Sequence, residues 1–241
     1  MKKENKIFDL STVPSVKISE KQIGPISVKI FNGNHFTLHN NGERWMVYNF
    51  HTNREVKEFY SMYDMAYGDV LLSGLGFGIL ALWIASKPEV TSVTVVEVTG
   101  EIIYMFTDQN ELPPKVKIIK EDINKFSSDQ KFDCLFLDHY EENTFEDRIA
   151  NANEIMNKID HDLFWFWSLE HILAQFAYGI TDHQLFFNYL DEHRVDFSVK
   201  FEEFGKKYFP FAKFPQLSDK KINEYVYTYF DKIGYGNIIK L

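Results

Sequence analysis

The 241-residue sequence has one cysteine and no long apolar run. A single cysteine, Cys134, excludes a disulfide within the chain, and its place in the segment FDCLFLD predicts a small buried apolar residue and not a catalytic thiol. No apolar stretch reaches the ~18 uncharged residues that a membrane span requires, and the charged start MKKENKIFDL lacks the apolar core of a signal peptide. We therefore expect a cytoplasmic protein without a membrane partner.

Basic residues are the scarcer charge, with 26 Lys and Arg against 35 Asp and Glu, for a net charge of −9. The lysines are scattered along the chain, whereas binding to a phosphate backbone relies on basic clusters. Nucleic acid is therefore not expected as a partner. We expect a small-molecule substrate, with an amine as one candidate because an acidic pocket suits a cation, and a homodimer as one candidate assembly.

The first 50 residues predict an irregular lead-in followed by a small antiparallel β meander. The segments ISVKIF, HFTLH and RWMVYN are separated by NGN and NNGE, and Asn-Gly turns between alternating apolar residues are strong hairpin signals. From residue 51 the period becomes helical in TNREVKEFYSMYDMAYG. Thr52 and Glu55 have capping-box spacing, and Gly68 is the predicted end of this helix. We expect residues 51–241 to form one further unit.

Strands and helices alternate from Asp69 onward. The runs DVLLS, SVTVVEV, KVKIIKED and FDCLFLD predict buried parallel strands, and GILALWIASKPEV and TGEIIYMFTDQNEL predict crossover helices. This alternation indicates a Rossmann-like, doubly wound, mostly parallel sheet with helices on both faces. Beyond Asp138 we expect helices in TFEDRIANANEIMNKI, SLEHILAQFAYG and TDHQLFFNYLDEHR, a fifth strand in DLFWFW and a late strand in YVYTYF, within an aromatic-rich C-terminal region.

The segment SGLGFG follows the first predicted parallel strand, at the edge where open parallel sheets bind ligands. Glycines let the backbone approach a ligand closely, and the next helix offers unpaired N–H groups; the alternative is a tight strand-to-helix turn. The spacing is GxGxG, with Ile79 where a dinucleotide fingerprint has its third glycine, and no phosphate-binding lysine follows. NAD and ATP are therefore disfavoured. The candidate cofactor-binding residues of this loop are Ser73, Gly74, Leu75, Gly76, Phe77 and Gly78.

Carboxylates follow the next two strands. Glu97 ends an otherwise apolar strand, where one carboxylate can accept both hydroxyls of a ribose; the alternative is an exposed strand-end acid. Asp122 could accept from an adenine amino group while the backbone of Ile123 contacts the ring, and the alternative there is a solvated turn acid.

A polar cluster, LDHYEE, follows the fourth strand. Asp138, His139, Tyr140 and Glu141 are the candidate catalytic residues, because such groups can deprotonate or orient a nucleophilic amine. His139 has the alternative of a solvated loop residue. Contiguous acids on a loop lack a convincing metal geometry, so no metal site is expected.

Together these segments resemble the class I S-adenosylmethionine (SAM)-dependent methyltransferases, in their spermidine-synthase-like branch, over roughly residues 26–142. The resemblance implies SAM or decarboxylated SAM as the cofactor. It also implies roles for individual residues: the methionine moiety for Gly74, Gly76 and Gly78, the ribose for Glu97, the adenine for Asp122, and the reacting amine for Asp138.

Two apolar residues, Leu75 and Phe77, stand in the glycine loop where spermidine synthases usually carry an acid. Methyl transfer to a small or medium polar substrate is therefore the first hypothesis. The second is aminopropyl transfer from decarboxylated SAM. The third is a non-catalytic nucleotide-binding protein with the same fold.

Overall fold

The structure is a computed structural model that describes residues 12–49, 54–139, 144–179, 196–209 and 217–230. Its N-terminal part is a four-stranded antiparallel sheet in which neighbours along the chain pair in order. The strands are β1 (Lys21–Ile23), β2 (Ile26–Phe31), β3 (His35–Asn40) and β4 (Glu43–Asn49). The predicted meander is confirmed, but β1 lies inside the segment predicted to be irregular. Three residues around a Gly-Pro turn are too few to show a period, and pairing with β2 makes them a strand.

Two short helices follow the meander where the sequence predicted one. They are α1 (Arg54–Glu58) and α2 (Tyr60–Met65), with Phe59 between them. Gly68 does not end a helix: α2 ends three residues earlier, and Gly68 is the first residue of the next strand. A side chain there would overlap the carboxylate of Asp133, which accepts a hydrogen bond from Asp69 N at 2.7 Å. Glycine at position 68 therefore leaves the space that the Asp133 side chain occupies.

Of the predicted capping box, the structure describes one member, Glu55. Its Oε1 accepts the backbone N–H of Val47 at 2.7 Å, so Glu55 joins the start of α1 to β4. Thr52, the other member of the predicted pair, lies outside the described residues.

The second sheet has five strands, all parallel, and its arrangement confirms the predicted fold class. The strands are β5 (Gly68–Ser73), β6 (Val90–Glu97), β7 (Val116–Lys120), β8 (Phe132–Leu137) and β9 (His161–Phe166), in the order β7-β6-β5-β8-β9. The connecting helices are α3 (Ile79–Ala85), α4 (Gly100–Thr107), α5 (Phe145–Lys158) and α6 (Leu169–Tyr178). The strand order reverses beside β5, so the carboxyl ends of β5, β6 and β8 border the crevice where such sheets bind ligands.

Helices α7 (Ser198–Tyr208) and α8 (Asp219–Tyr229) pack with α6 beyond the sheet. The prediction of a late strand in YVYTYF was wrong, because those residues belong to α8 and to its C-terminal neighbour Phe230. Ile222, Tyr225, Val226 and Tyr229 are buried at helical spacing, and Ser218 caps the helix start by accepting from Lys221 N. The helix predicted in TDHQLFFNYLDEHR falls on residues outside the described ranges.

Cys134 is fully buried in β8, as predicted. Burial raises the pKa of its thiol to about 12, which leaves it protonated and unreactive at neutral pH.

Within the described ranges, no helix is both long enough and apolar enough to cross a membrane.

Candidate functional site

The glycine loop connects β5 to α3, and Gly74, Gly76 and Gly78 all have positive φ, at 88°, 50° and 74°. A Cβ at Gly74 would overlap the carbonyl oxygen of Asp138, and one at Gly78 would overlap the ring of Phe106 in α4. Close packing of the loop therefore accounts for these glycines without any ligand. The glycines alone therefore do not indicate a ligand site, which depends on the polar groups around the loop.

The apolar residues of the loop are buried. Leu75 and Phe77 pack into the core, and a Cβ at Gly76 would lie 2.7 Å from Met46 Sδ of β4. The cavity between this part of the loop and the meander measures about 20 Å³, room for no more than a water molecule. Leu75 and Phe77 therefore pack inside the protein, which explains why apolar residues occupy these positions.

Glu97, at the end of β6, joins that strand to the glycine loop. Its Oε2 accepts the backbone N–H of Leu75 at 2.9 Å, and its Oε1 accepts that of Thr99 at 2.7 Å. The side chain is only 7% exposed, which excludes the alternative of a solvated strand-end acid. Each carboxylate oxygen retains a further lone pair that could accept a hydroxyl.

Replacing Glu97 with Gln is expected to lower the free energy of unfolding by about 2 kcal/mol, because one buried N–H loses its charged acceptor. Urea unfolding measures the difference. Glu121→Gln, at an exposed carboxylate after β7, is the matched control and should change stability by less than ~0.5 kcal/mol. Equal losses in the two variants would show that Glu97 does not brace the loop.

Asp122 closes a turn at the end of β7. Its Oδ1 accepts the backbone N–H of Asn124 at 2.9 Å and the side-chain amide of the same residue at 3.1 Å. The hydrogen bond from Asn124 N, together with nearby Lys125, holds the pKa of Asp122 below its usual value. The side chain is partly exposed, as the alternative of a turn acid predicted, while the side chain of Ile123 is buried.

Asp138 follows β8 directly beside the glycine loop. Its backbone N–H donates to Ser73 O at 2.9 Å, and its carboxyl group has no hydrogen-bond partner among the residues that the structure describes. Burial, and then the carboxylates of Glu58 and Glu97, raise the pKa of Asp138 well above its usual value. A raised pKa makes a carboxylate a stronger proton acceptor, as a general base near neutral pH requires.

His139 belongs to a chain of hydrogen bonds across the sheet edge. Its Nδ1 pairs with Ser73 Oγ, its Nε2 pairs with Asn151 Oδ1 at 3.0 Å, and Asn151 Nδ2 donates to Asn124 Oδ1 at 2.7 Å. Since an amide oxygen only accepts, Nε2 carries the proton and Nδ1 accepts the serine hydroxyl, an assignment made from this network. Burial lowers the pKa of His139, so the ring is neutral with both nitrogens engaged. This geometry suits positioning better than proton transfer.

Two buried carboxyl groups, those of Glu58 and Glu170, were not predicted from the sequence. Glu58 Oε2 accepts Trp167 Nε1 at 3.3 Å, and Glu170 of α6 is 2% exposed. Burial raises the pKa of Glu170 to about 7, and the charge of Glu58 adds to this. Asp138, Glu58 and Glu170 are called the acidic wall below, because Glu58 acts electrostatically on both of the others.

Glu170 Oε2 has no hydrogen-bond partner in the described part of the chain. Two neighbouring polar atoms, Ser61 Oγ and Trp165 Nε1, also have none there. The hydroxyl and the indole N–H face the carboxyl and favour its charged form, yet neither completes a hydrogen bond with it.

The remaining predicted catalytic residues, Tyr140 and Glu141, lie outside the described residues. Among the residues that are described, no group of three His, Cys, Asp or Glu side chains could hold a metal ion. The described part of the candidate site therefore consists of the glycine loop, the strand-end carboxylates, the acidic wall and the His139 network.

No family model and no curated protein sequence matches the chain. Solved structures similar to it include spermidine synthase from Thermotoga maritima, at 15% identity over 59% of this chain and 52% of that one, with a TM-score of 0.42. N-methyltransferase NodS from Bradyrhizobium japonicum WM9 is 18% identical over 45% of this chain and 62% of that one, with a TM-score of 0.36.

SAM-bound CalS10, an amino pentose methyltransferase from Micromonospora echinaspora, is 15% identical over 48% of this chain and 51% of that one, with a TM-score of 0.33. The alignments thus span between 51% and 62% of the length of these three proteins. The fold class rests on the strand order of this chain itself.

Proposed function

We propose that this protein is a SAM-dependent methyltransferase that acts on a small or medium polar substrate, with an amine as the favoured nucleophile. The observation that carries the proposal is Asp138: its carboxyl group has a raised pKa and no hydrogen-bond partner among the described residues, and it lies beside the glycine loop where the strand order reverses. A proton acceptor at a ligand-binding edge suits removal of a proton from an attacking amine.

The residues present fit an adenosyl cofactor. The free lone pairs of Glu97 could accept the ribose hydroxyls without breaking its two hydrogen bonds to the loop. Asp122 and Ile123 stand at the end of the strand next to β6, where the adenine would lie. When bound, the cofactor supplies a methyl group on a sulfonium, an electrophile for in-line attack. The protein's part is to orient the nucleophile and to take its proton at Asp138.

Aminopropyl transfer is the second candidate, and the acidic wall favours it. The Glu58 carboxylate raises the pKa of Asp138, and a substrate with more than one positive charge would offset the repulsion between these two carboxyl groups. The buried apolar residues Leu75 and Phe77 favour methyl transfer, because the loop then offers no carboxylate to a decarboxylated cofactor.

Thermal shifts with SAM, S-adenosylhomocysteine, decarboxylated SAM and NAD test these alternatives. A ligand at a hundred times its dissociation constant stabilises by about 2.7 kcal/mol, which should raise the melting temperature by roughly 5–10 °C for SAM and S-adenosylhomocysteine, and not for NAD. A larger shift with decarboxylated SAM than with SAM would reverse the order of the two transferases. No shift with any adenosyl compound would reject both.

Asp138→Asn separates binding from chemistry. Because the carboxyl group makes no hydrogen bond to the described residues, the variant should keep the SAM shift while losing methyl transfer to a panel of primary amines by roughly 10²-fold or more. A variant that keeps both would show that Asp138 is not the proton acceptor, and wild type that binds SAM but transfers nothing would favour the non-catalytic protein.

A further inference from the structure

The outer face of the meander carries polar and basic side chains. Alternation along β2, β3 and β4 directs Ile26, Val28, Phe36, Leu38 and Tyr48 into the core. The intervening residues form the opposite face, where the strand register aligns Phe31 with His35 and Ser27 with His39. On this face Thr37 is buried among its neighbours, whereas Lys29, Phe31 and Arg44 are exposed, so packing does not determine the identity of these three residues.

This outer face contains a shallow depression of about 400 Å³. Nine of the described residues line it, including Lys29, Arg44, His35 and His39, and none of these nine carries a carboxylate. Lys29 and Arg44 are both exposed, and neither makes an ion pair with a described residue. On a chain with a net charge of −9, the depression is a local region of opposite sign, which attracts anions.

The depression also offers groups that suit nucleic acid bases. Phe31 is 50% exposed, with its ring held edge-to-face against His35 at a centroid separation of 5.9 Å. An exposed ring is a surface on which any base can stack, and the amides of Asn32 and Asn34 at the same depression can hydrogen-bond to base edges. An acidic peptide would use the cations alone and would gain little from the ring.

We propose that the outer face of the meander binds single-stranded nucleic acid, with Lys29 and Arg44 contacting phosphates and Phe31 stacking on a base. This activity goes beyond the proposed methyl transfer and does not depend on it. The observation behind it is the juxtaposition of two unpaired cations and an exposed ring at a depression whose described lining contains no carboxylate.

Fluorescence anisotropy with labelled dT12 and rU12, each at 50 and 200 mM salt, tests the proposal on the full chain. Lys29→Gln combined with Arg44→Gln should weaken binding about tenfold or more, and should make the slope of log K against log salt shallower by about 1.4, as two phosphate contacts imply. Phe31→Ala should weaken it by roughly 5-fold or more through lost stacking. Lys117→Gln, at an exposed strand lysine of the parallel sheet, is the matched control and should bind as wild type.

Absence of binding at 50 mM salt would overturn the proposal, as would equal weakening by Lys117→Gln. Poly-glutamate that competes as well as the oligonucleotide, or duplex DNA that binds better than either single strand, would also contradict it. The SAM-induced thermal shift of each variant is measured in parallel and should equal that of wild type. If wild type does not bind SAM, the proposed function is rejected, whereas the nucleic acid proposal is unaffected.

Discussion

Gly74→Ala is expected to lower the free energy of unfolding by about 2–5 kcal/mol. A side chain in the left-handed region costs about 1–2 kcal/mol, and an added methyl group in a packed site adds about 1–3 kcal/mol. The new Cβ would overlap the carbonyl oxygen of Asp138, a backbone atom that cannot move aside without displacing the end of β8. The glycine loop and β8 would have to separate.

Gly33→Ala is the matched control for Gly74→Ala. Gly33 also has a positive φ, 71°, but an added Cβ there would have no atom within 4 Å. The control should therefore cost only about 1–2 kcal/mol, the backbone contribution alone. Urea unfolding of both variants measures the difference. Equal losses would show that the loop does not pack against β8 as described.

Glu170→Gln is expected to remove a pH dependence of stability worth about 3 kcal/mol. The pKa of Glu170 is raised from 4.5 in the unfolded chain to about 7 in the folded protein, so the folded state binds its proton more tightly. Its contribution is therefore most favourable below pH 4.5 and is lost progressively as the pH rises to about 7; each pKa unit corresponds to about 1.36 kcal/mol. Glutamine resembles the protonated carboxyl group and keeps no such dependence.

Urea unfolding at pH 4.5, 6 and 8 checks this expectation. Wild type should lose about 3 kcal/mol more than Glu170→Gln between the lowest and the highest pH, while other groups titrate alike in both proteins. Glu202→Gln, an exposed carboxylate whose pKa is lowered by Lys206, should keep the steep wild-type dependence on pH. Parallel curves for wild type and Glu170→Gln would mean that folding does not raise the pKa of Glu170.

The parallel sheet was predictable because its strands are buried on both faces and read as continuous apolar runs, as in DVLLS. The segment YVYTYF was not, because its aromatic residues satisfy both an alternating and a helical period. Packing of Tyr225 against Trp165, at a centroid separation of 5.9 Å, is a tertiary contact that no local pattern contains. All of the segment except Phe230 belongs to the helix α8, which Ser218 caps at its start.

The candidate site was predictable only where it coincides with strand ends. Glu97 and Asp138 interrupt apolar runs and can be recognised in the sequence. Glu58 and Glu170 lie in helical segments where acids are usually solvated, so their burial depends on neighbours distant in the chain. Asn151 is likewise an ordinary helix residue until folding brings it to His139.

The local charge of a surface was likewise not predictable from the net charge of the chain. The whole-chain balance disfavoured nucleic acid, but pairing of β2, β3 and β4 brings Lys29 and Arg44 to one depression whose described lining contains no carboxylate. A net charge averages over surfaces that a ligand meets separately.

A crystal structure of the protein with S-adenosylhomocysteine would test the proposed cofactor site. We expect the ribose hydroxyls within hydrogen-bonding distance of the Glu97 carboxylate, the adenine beside Asp122 and Ile123, and the sulfur facing Asp138. A ligand bound away from the carboxyl ends of β5, β6 and β8, or none at concentrations that saturate an adenosyl site, would contradict it.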